Sequence, residues 1–168
     1  ADFAICNVTH DFGETIGWQL VSGRDFSGDF ASDSSESVII NEAAARYMGL
    51  DDAVGKVLTD VDEFGNPKWS RVIIGVVKDI IMESPYEPVR QTLYFFDRDE
   101  LFTLNIRIHP EASASAALIE IGSALNKIVP AALFDYRFVD EEYAGKFSQE
   151  QRIGNLSSVF AVLAILIS

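Results

Sequence analysis

The side chains best suited to chemistry in this 168-residue chain are His10, His109 and a single cysteine, Cys6. A zinc site needs three or four ligands, and a hydrolase needs a nucleophile held beside its base. The two histidines are far apart in the chain, and no Cys-x-x-Cys occurs. Cys6 lies in an apolar stretch, where cysteine packs as a small hydrophobe. The stretch DVDEFGNPKWSR, Asp60 to Arg71, places Asp60, Asp62 and Gly65 at calcium-loop positions. Phe64 occupies a ligand position there, and Arg71 stands where the closing bidentate Glu belongs. A hairpin turn is the expectation. Asp51-Asp52 falls in a helix-to-strand turn, and no glycine-rich phosphate cradle is present. These residues specify no enzyme, no metal and no cofactor.

What remains is surface chemistry. Trp69, Tyr86 and Tyr94 are the candidate partner surface; the competing reading makes them core residues of half-buried strands. The chain has 26 acidic and 13 basic residues, a formal charge of −13. Phosphate backbones demand the opposite sign, so no nucleic-acid partner is expected. The same excess disfavours flat docking on anionic lipid. With 48% apolar residues, one domain or two small lobes can bury a core. One cysteine allows no internal disulfide.

The elements that must position these residues follow from hydrophobic period and punctuation. Ala1–Val8 reads as a strand. Thr9 is placed to cap a short helix carrying Phe12 and Ile16, ended by Gly17. Gln19–Ser22 is a short strand, and Phe26–Glu36, rich in Asp, Ser and Gly, is a loop. SVIIN, Ser37–Asn41, is a buried strand whose last residue caps helix EAAARYM, with Gly49 at the C′ position. Val57–Val61 and Trp69–Val77 form a hairpin, and 80–90 is irregular. Gln91–Phe96 and Leu101–Ile108 are strands. Pro110 opens a helix with the stripe Leu118, Ile121, Leu125, Ile128, bounded by Pro130. Asp135–Val139 is a last strand. The fold class is α+β: a mixed or antiparallel sheet with packed helices, in one or two lobes, ending in a long C-terminal helix.

That helix begins near Glu141, carries Glu150, Arg152 and Gly154, and turns wholly apolar from Val159 to Ile167. Crossing a bilayer takes about 20 apolar residues. On the residues alone, two readings stand level: a transmembrane helix cut at its first turns, or a buried terminal helix of a soluble domain. Ala1 is not a start residue and no basic-then-apolar leader comes after it, so a processed or excised chain is expected.

Four blocks then carry a resemblance: DFGETIGWQLVSGRDF from Asp11, SVIINEAAARYMGLDDAVGK from Ser37, RVIIGVVKDIIMESPYEPVRQTLYFF from Arg71, and FVDEEYAGKFSQEQRIGNLSSVFAVLAILIS from Phe138. In this order they resemble the MacB-type periplasmic core domain of FtsX-like ABC-transporter permeases. The resemblance implies residues 1–140 as the periplasmic core domain, lacking a βαβ stretch that family members carry before the first block. It implies 141–168 as a lever helix entering a transmembrane segment, with Glu150, Arg152 and Gly154 on it. The implied function is non-catalytic: transmitting ATP-driven conformational change to export or signalling. The implied partners are a separate ATPase subunit or domain in the cytoplasm, the membrane through flanking helices, and a second permease copy in a dimer. The implied location is the bacterial inner membrane, with this domain facing the periplasm. The alternative is a soluble extracytoplasmic ligand-binding or sensor domain.

Overall fold

A computed structural model describes residues 3–80, 88–98, 101–130 and 133–141. The chain divides into two units, Ala1–Arg107 and Ile108–Ser168.

The first unit is built on one mixed sheet. In chain order it holds β1 (Ala4–Val8), α1 (Phe12–Ile16), β2 (Leu20–Gly23), α2 (Asp33–Glu36), β3 (Ser37–Asn41), α3 (Glu42–Tyr47), β4 (Val57–Val61), β5 (Pro67–Val77) and β6 (Thr92–Phe96). The strand order is β1-β6-β3-β5-β2, with β4 paired to β5 off that path. The pairs β1–β6 and β3–β5 are parallel; β2–β5, β3–β6 and β4–β5 are antiparallel. This is the α+β class expected from interspersed strands and helices.

The central strands β3 and β6 are buried at every residue. Alternation of side chains divides their residues between two faces. On one face Val38, Ile40, Ile73, Val76, Leu93 and Phe95 pack with Ala44 of α3. On the other Val8, Ile39, Val77, Tyr94 and Phe96 pack with Phe26, and Phe12 and Trp18 close the edge. A strand covered on both sides is continuously apolar, which is why SVIIN shows no polar alternation.

Asn41 caps α3 as expected: its Oδ1 accepts the Ala44 N–H at 2.9 Å. Gly49, at φ +65°, ends the helix from the C′ position. The β4–β5 hairpin and its turn also form as expected.

Three expectations are corrected here. Thr9 does not cap α1 with its side chain; Asp11 occupies the N-cap without a side-chain bond, and the Thr9 carbonyl accepts the Phe12 N–H. The 26–36 loop contains helix α2, organised around a buried Asp33. Leu101–Ile108 forms no ladder among the described residues, and Leu104 and Ile106 are exposed. Alternation alone does not make a strand, because the backbone bonds require a neighbour.

In the second unit α4 (Ala114–Ile128) starts at a Ser113 cap, four residues after the expected opening at Pro110. Leu118, Ile121 and Leu125 are half-buried, while Ile128 is 77% exposed. The Phe134 ring packs beside Gly122, 3.4 Å from where a Cβ would stand, an ordinary van der Waals distance. Asp135–Val139, expected as a strand, forms no ladder among the described residues: 135–138 carry no regular structure and 139–141 form a helical turn. Among the described residues no helix is long and apolar enough to cross a membrane. The run Val159–Ile167 lies outside them.

Candidate functional site

Two polar centres organise the first unit, and both sit where the chain leaves the sheet. The first comes directly after β2. Gly23 and Gly75 face each other across the β2–β5 ladder. A Cβ on Gly75 would run into the Arg24 carbonyl oxygen, and one on Gly23 into the Ile74 carbonyl oxygen. Gly23 also has φ +77°, a conformation that L side chains disfavour. The close approach brings Arg24 over the loop, where its guanidinium grips Asp33 with two bonds of 2.7 Å. The Ser27 N–H (3.0 Å) and the Ser37 hydroxyl (3.1 Å) donate to the same carboxylate. Arg24 also lies 4.4 Å from the centre of the Phe30 ring.

Asp33 has no exposed side-chain surface, whereas Arg24 keeps 41%. Burial alone would raise the Asp33 carboxyl. Arg24, Ser27 and Ser37 together outweigh it and hold the group below its usual value. Next to this pair, Asp25 accepts the Trp18 indole N–H at 2.8 Å and the Phe26 N–H at 2.7 Å. Burial here exceeds what the two donors return, and the Asp25 carboxyl is raised.

The second centre joins the ends of β3, β5 and β6 to the start of α3. Besides capping α3, Asn41 Oδ1 accepts the Thr92 N–H at 2.9 Å, and its Nδ2 donates to the Arg90 carbonyl at 2.8 Å. Asp79 accepts the Ala43 N–H at 2.8 Å and pairs with Arg46 at 2.5 Å. Glu42 in turn accepts the Asp79 N–H at 3.3 Å. These groups fasten the strand ends that bracket residues 80–90.

The candidate partner aromatics do not form one surface. Trp69 is half-buried and meets Phe95 edge-on at 5.2 Å. Tyr94 is 1% exposed and packs on the opposite sheet face against Trp18 at 5.1 Å. Burial first, then the Cys6 and Asp79 charges, push its phenol up to about 12. Tyr94 is therefore a core residue, as strand alternation allows, and offers no contact to a partner. Tyr86, Glu150, Arg152 and Gly154 lie outside the described residues.

Each residue considered for catalysis has a local setting of its own. Burial raises the Cys6 thiol, away from the reactive thiolate. His10 meets Asp11 at 3.1 Å, and His109 Nδ1 accepts the Glu111 N–H at 3.3 Å in the turn before α4. Among the described residues, no three His, Cys, Asp or Glu side chains gather to hold a metal ion. In the calcium-like stretch, Asp62 spends its carboxylate on the turn itself, accepting from Phe64 and Asn66. The Arg24–Asp33 centre was missed in the sequence, because an Arg and an Asp in a polar loop carry no periodic signal.

A two-faced sheet with these connections can be compared with known structures. The structure matches the periplasmic region of MacB from Actinobacillus actinomycetemcomitans with a TM-score of 0.52 and 17% sequence identity. It has the fold of the MacB periplasmic region. The match covers 74% of this chain and 56% of the MacB region, so the chain spans little more than half of that structure's length. A domain from Porphyromonas gingivalis, of a protein described as a permease, aligns with a TM-score of 0.45 and 20% identity, over 79% of this chain and 68% of that one. No known family profile matches the sequence, and no curated protein does. In the MacB-like fold, the two polar centres are what tie loop to sheet and helix to strand ends.

Proposed function

We propose that the chain is the extracytoplasmic, non-catalytic domain of an ABC-transporter permease, and that it relays ATP-driven movement to export or signalling. The likeness to the MacB periplasmic fold is the observation that carries this reading. In it, residues 1–140 are the outer domain and 141–168 the lever, with Glu150, Arg152 and Gly154 in the lever helix. A separate ATPase subunit or domain supplies the energy in the cytoplasm, flanking helices anchor the domain in the inner membrane, and two permease copies work as a dimer. A continuous helix suits the lever because its backbone bonds are satisfied within the segment on both sides of the water–bilayer boundary.

The test uses the whole permease with its ATPase in proteoliposomes. A mid-helix proline costs about 3 kcal/mol. Arg152→Pro is expected to insert and hydrolyse ATP at the basal rate but to lose transport, while Arg152→Ala keeps it. Full transport by Arg152→Pro sinks the lever. Cell fractionation tests the setting: the protein should require detergent for release from inner membranes. Recovery from the soluble extracytoplasmic fraction replaces the permease reading with that of a ligand-binding or sensor domain.

A further inference from the structure

The calcium-like stretch supplies a feature that neither fold nor lever uses. Asp62 builds the β4–β5 turn. Its Oδ1 accepts the Phe64 N–H at 2.9 Å and the Asn66 N–H at 2.8 Å, and its Oδ2 accepts the Asn66 side chain at 3.0 Å. The Asp62 N–H donates to the Asn66 carbonyl at 2.9 Å, and the Gly65 N–H to the Asp62 carbonyl at 3.0 Å. These bonds hold a short turn that leaves Phe64 81% exposed. Turns favour Gly, Asn, Asp, Pro and Ser, each for a backbone reason, and none of those reasons calls for Phe.

The hairpin behind the tip has two unlike faces. Leu58 and Trp69 pack toward the core, and Arg71 lies 4.9 Å from the centre of the Phe95 ring. The opposite face points to water, yet it carries Val57 (60% exposed), Val61 (50%) and Val72 (37%). Thr59 and Ser70 sit between the valines and bond to each other at 2.9 Å, which leaves that step of the column neutral. Strand propensity accounts for valines in β4 and β5. It does not account for an apolar column that ends in a phenylalanine on a rigid turn. On the strands Lys68 and Asp60 face each other at 4.0 Å and offset one another, while at the tip Asp62 and Glu63 flank Phe64.

We propose that the solvent face and tip of the β4–β5 hairpin dock a second protein, which takes Phe64 into an apolar pocket rimmed by lysine or arginine. The turn presents the ring on a backbone already ordered, so little backbone freedom is lost on binding. The acids beside it select the sign of the rim and speed encounter. The same acids disfavour an anionic lipid surface. A second copy of this chain is a poor receiver, since it carries the same excess of 26 acidic over 13 basic residues. The inference stands apart from the permease reading, because it needs only the hairpin.

The test begins in the native host, with the full-length protein carrying benzoylphenylalanine at position 64. The control places the same probe at position 47, where Tyr47 is 57% exposed on α3. Irradiation is expected to give an adduct from position 64 alone, mapping to an apolar pocket beside Lys or Arg in one identified protein. That protein is then purified and titrated. Phe64→Ala should weaken its binding at least tenfold with an unchanged melting temperature, and Phe64→Leu should restore most of it. Raising NaCl from about 50 to 500 mM should weaken wild-type binding several-fold through charge screening. The proposal is overturned by equal labelling from both positions, by adducts only to lipid or to a second copy, or by a partner that binds Phe64→Ala as tightly as wild type.

Discussion

A carboxylate with no exposed surface stays ionised only where donors replace the water it has lost. Asp33 has such donors in Arg24, Ser27 and Ser37. The two partners differ in escape. Arg24 is 41% exposed and reaches solvent if Asp33 is removed, whereas Asp33 is left stranded if Arg24 is removed. Arg24→Ala is therefore expected to cost about 3 kcal/mol, as for breaking a buried pair. Asp33→Ala should cost less, about 1–2 kcal/mol. Urea unfolding at neutral pH compares them, and equal costs would refute the asymmetry. The pH dependence has a definite sign. The folded carboxyl lies below its usual value, about 3.9 in an unfolded chain. Its stabilisation is complete above the unfolded value and fades as pH falls from about 4 through the folded value. Wild type should lose stability faster than Asp33→Asn on acidification below about pH 4, measured by the urea midpoint. Parallel curves would remove Asp33 from the acid response.

At the scale of elements, the end of β3 ties α3 to β6. Asn41 satisfies one N–H of α3, one N–H of β6 and the Arg90 carbonyl before it. Losing a cap costs about 1 kcal/mol, and each buried backbone group left unpaired adds about 1–3 kcal/mol. Asn41→Ala should therefore cost about 3 kcal/mol or more. Faster amide exchange at both Ala44 and Thr92 should accompany the loss; a change at Ala44 alone would reduce Asn41 to a helix cap. Gly75 sets a second limit. Any Cβ there meets the Arg24 carbonyl, so Gly75→Ala must push β2 from β5 or displace the Arg24–Asp33 pair. A loss of about 2–3 kcal/mol is expected, within the range for backbone strain. In an Asp33→Ala background the pair is already gone, so a smaller added loss there would show that Gly75 acts through it.

At the scale of the whole molecule, the six strands and both core clusters of the described residues fall within Ala4–Phe96. Every strand pairing among the described residues thus lies inside the first unit. A fragment of residues 1–107 should fold by itself, with a cooperative melt and the strand signal of the longer chain. A fragment without a cooperative transition would mean that the sheet depends on residues beyond Arg107. The lever and docking proposals separate here too. A Phe64→Ala permease is expected to keep its basal ATPase rate and membrane insertion, because Phe64 is 81% exposed and contributes nothing to the sheet core.

Patterns local to a segment were legible in the sequence alone. The unbroken SVIIN marked a strand buried on both faces, Asn41 and Gly49 bracketed α3, and DEFGNP marked a hairpin turn, because each is decided by backbone conformation within a few residues. The α+β class came from the order of such segments. The four motif blocks pointed to the MacB-like arrangement, and the fold agrees with it. Pairing was not legible. Leu101–Ile108 alternates as well as any strand, yet alternation records only which side chains seek cover and not whether a neighbouring backbone is there to bond. Tyr94 and Trp69 looked alike in sequence, as aromatic residues in strands, until the sheet put them on opposite faces. Arg24 and Asp33 lie nine residues apart in a polar loop, and no period connects them. Only the close packing of Gly23 on Gly75 brings them together, and it is a contact between strands that are remote in the chain.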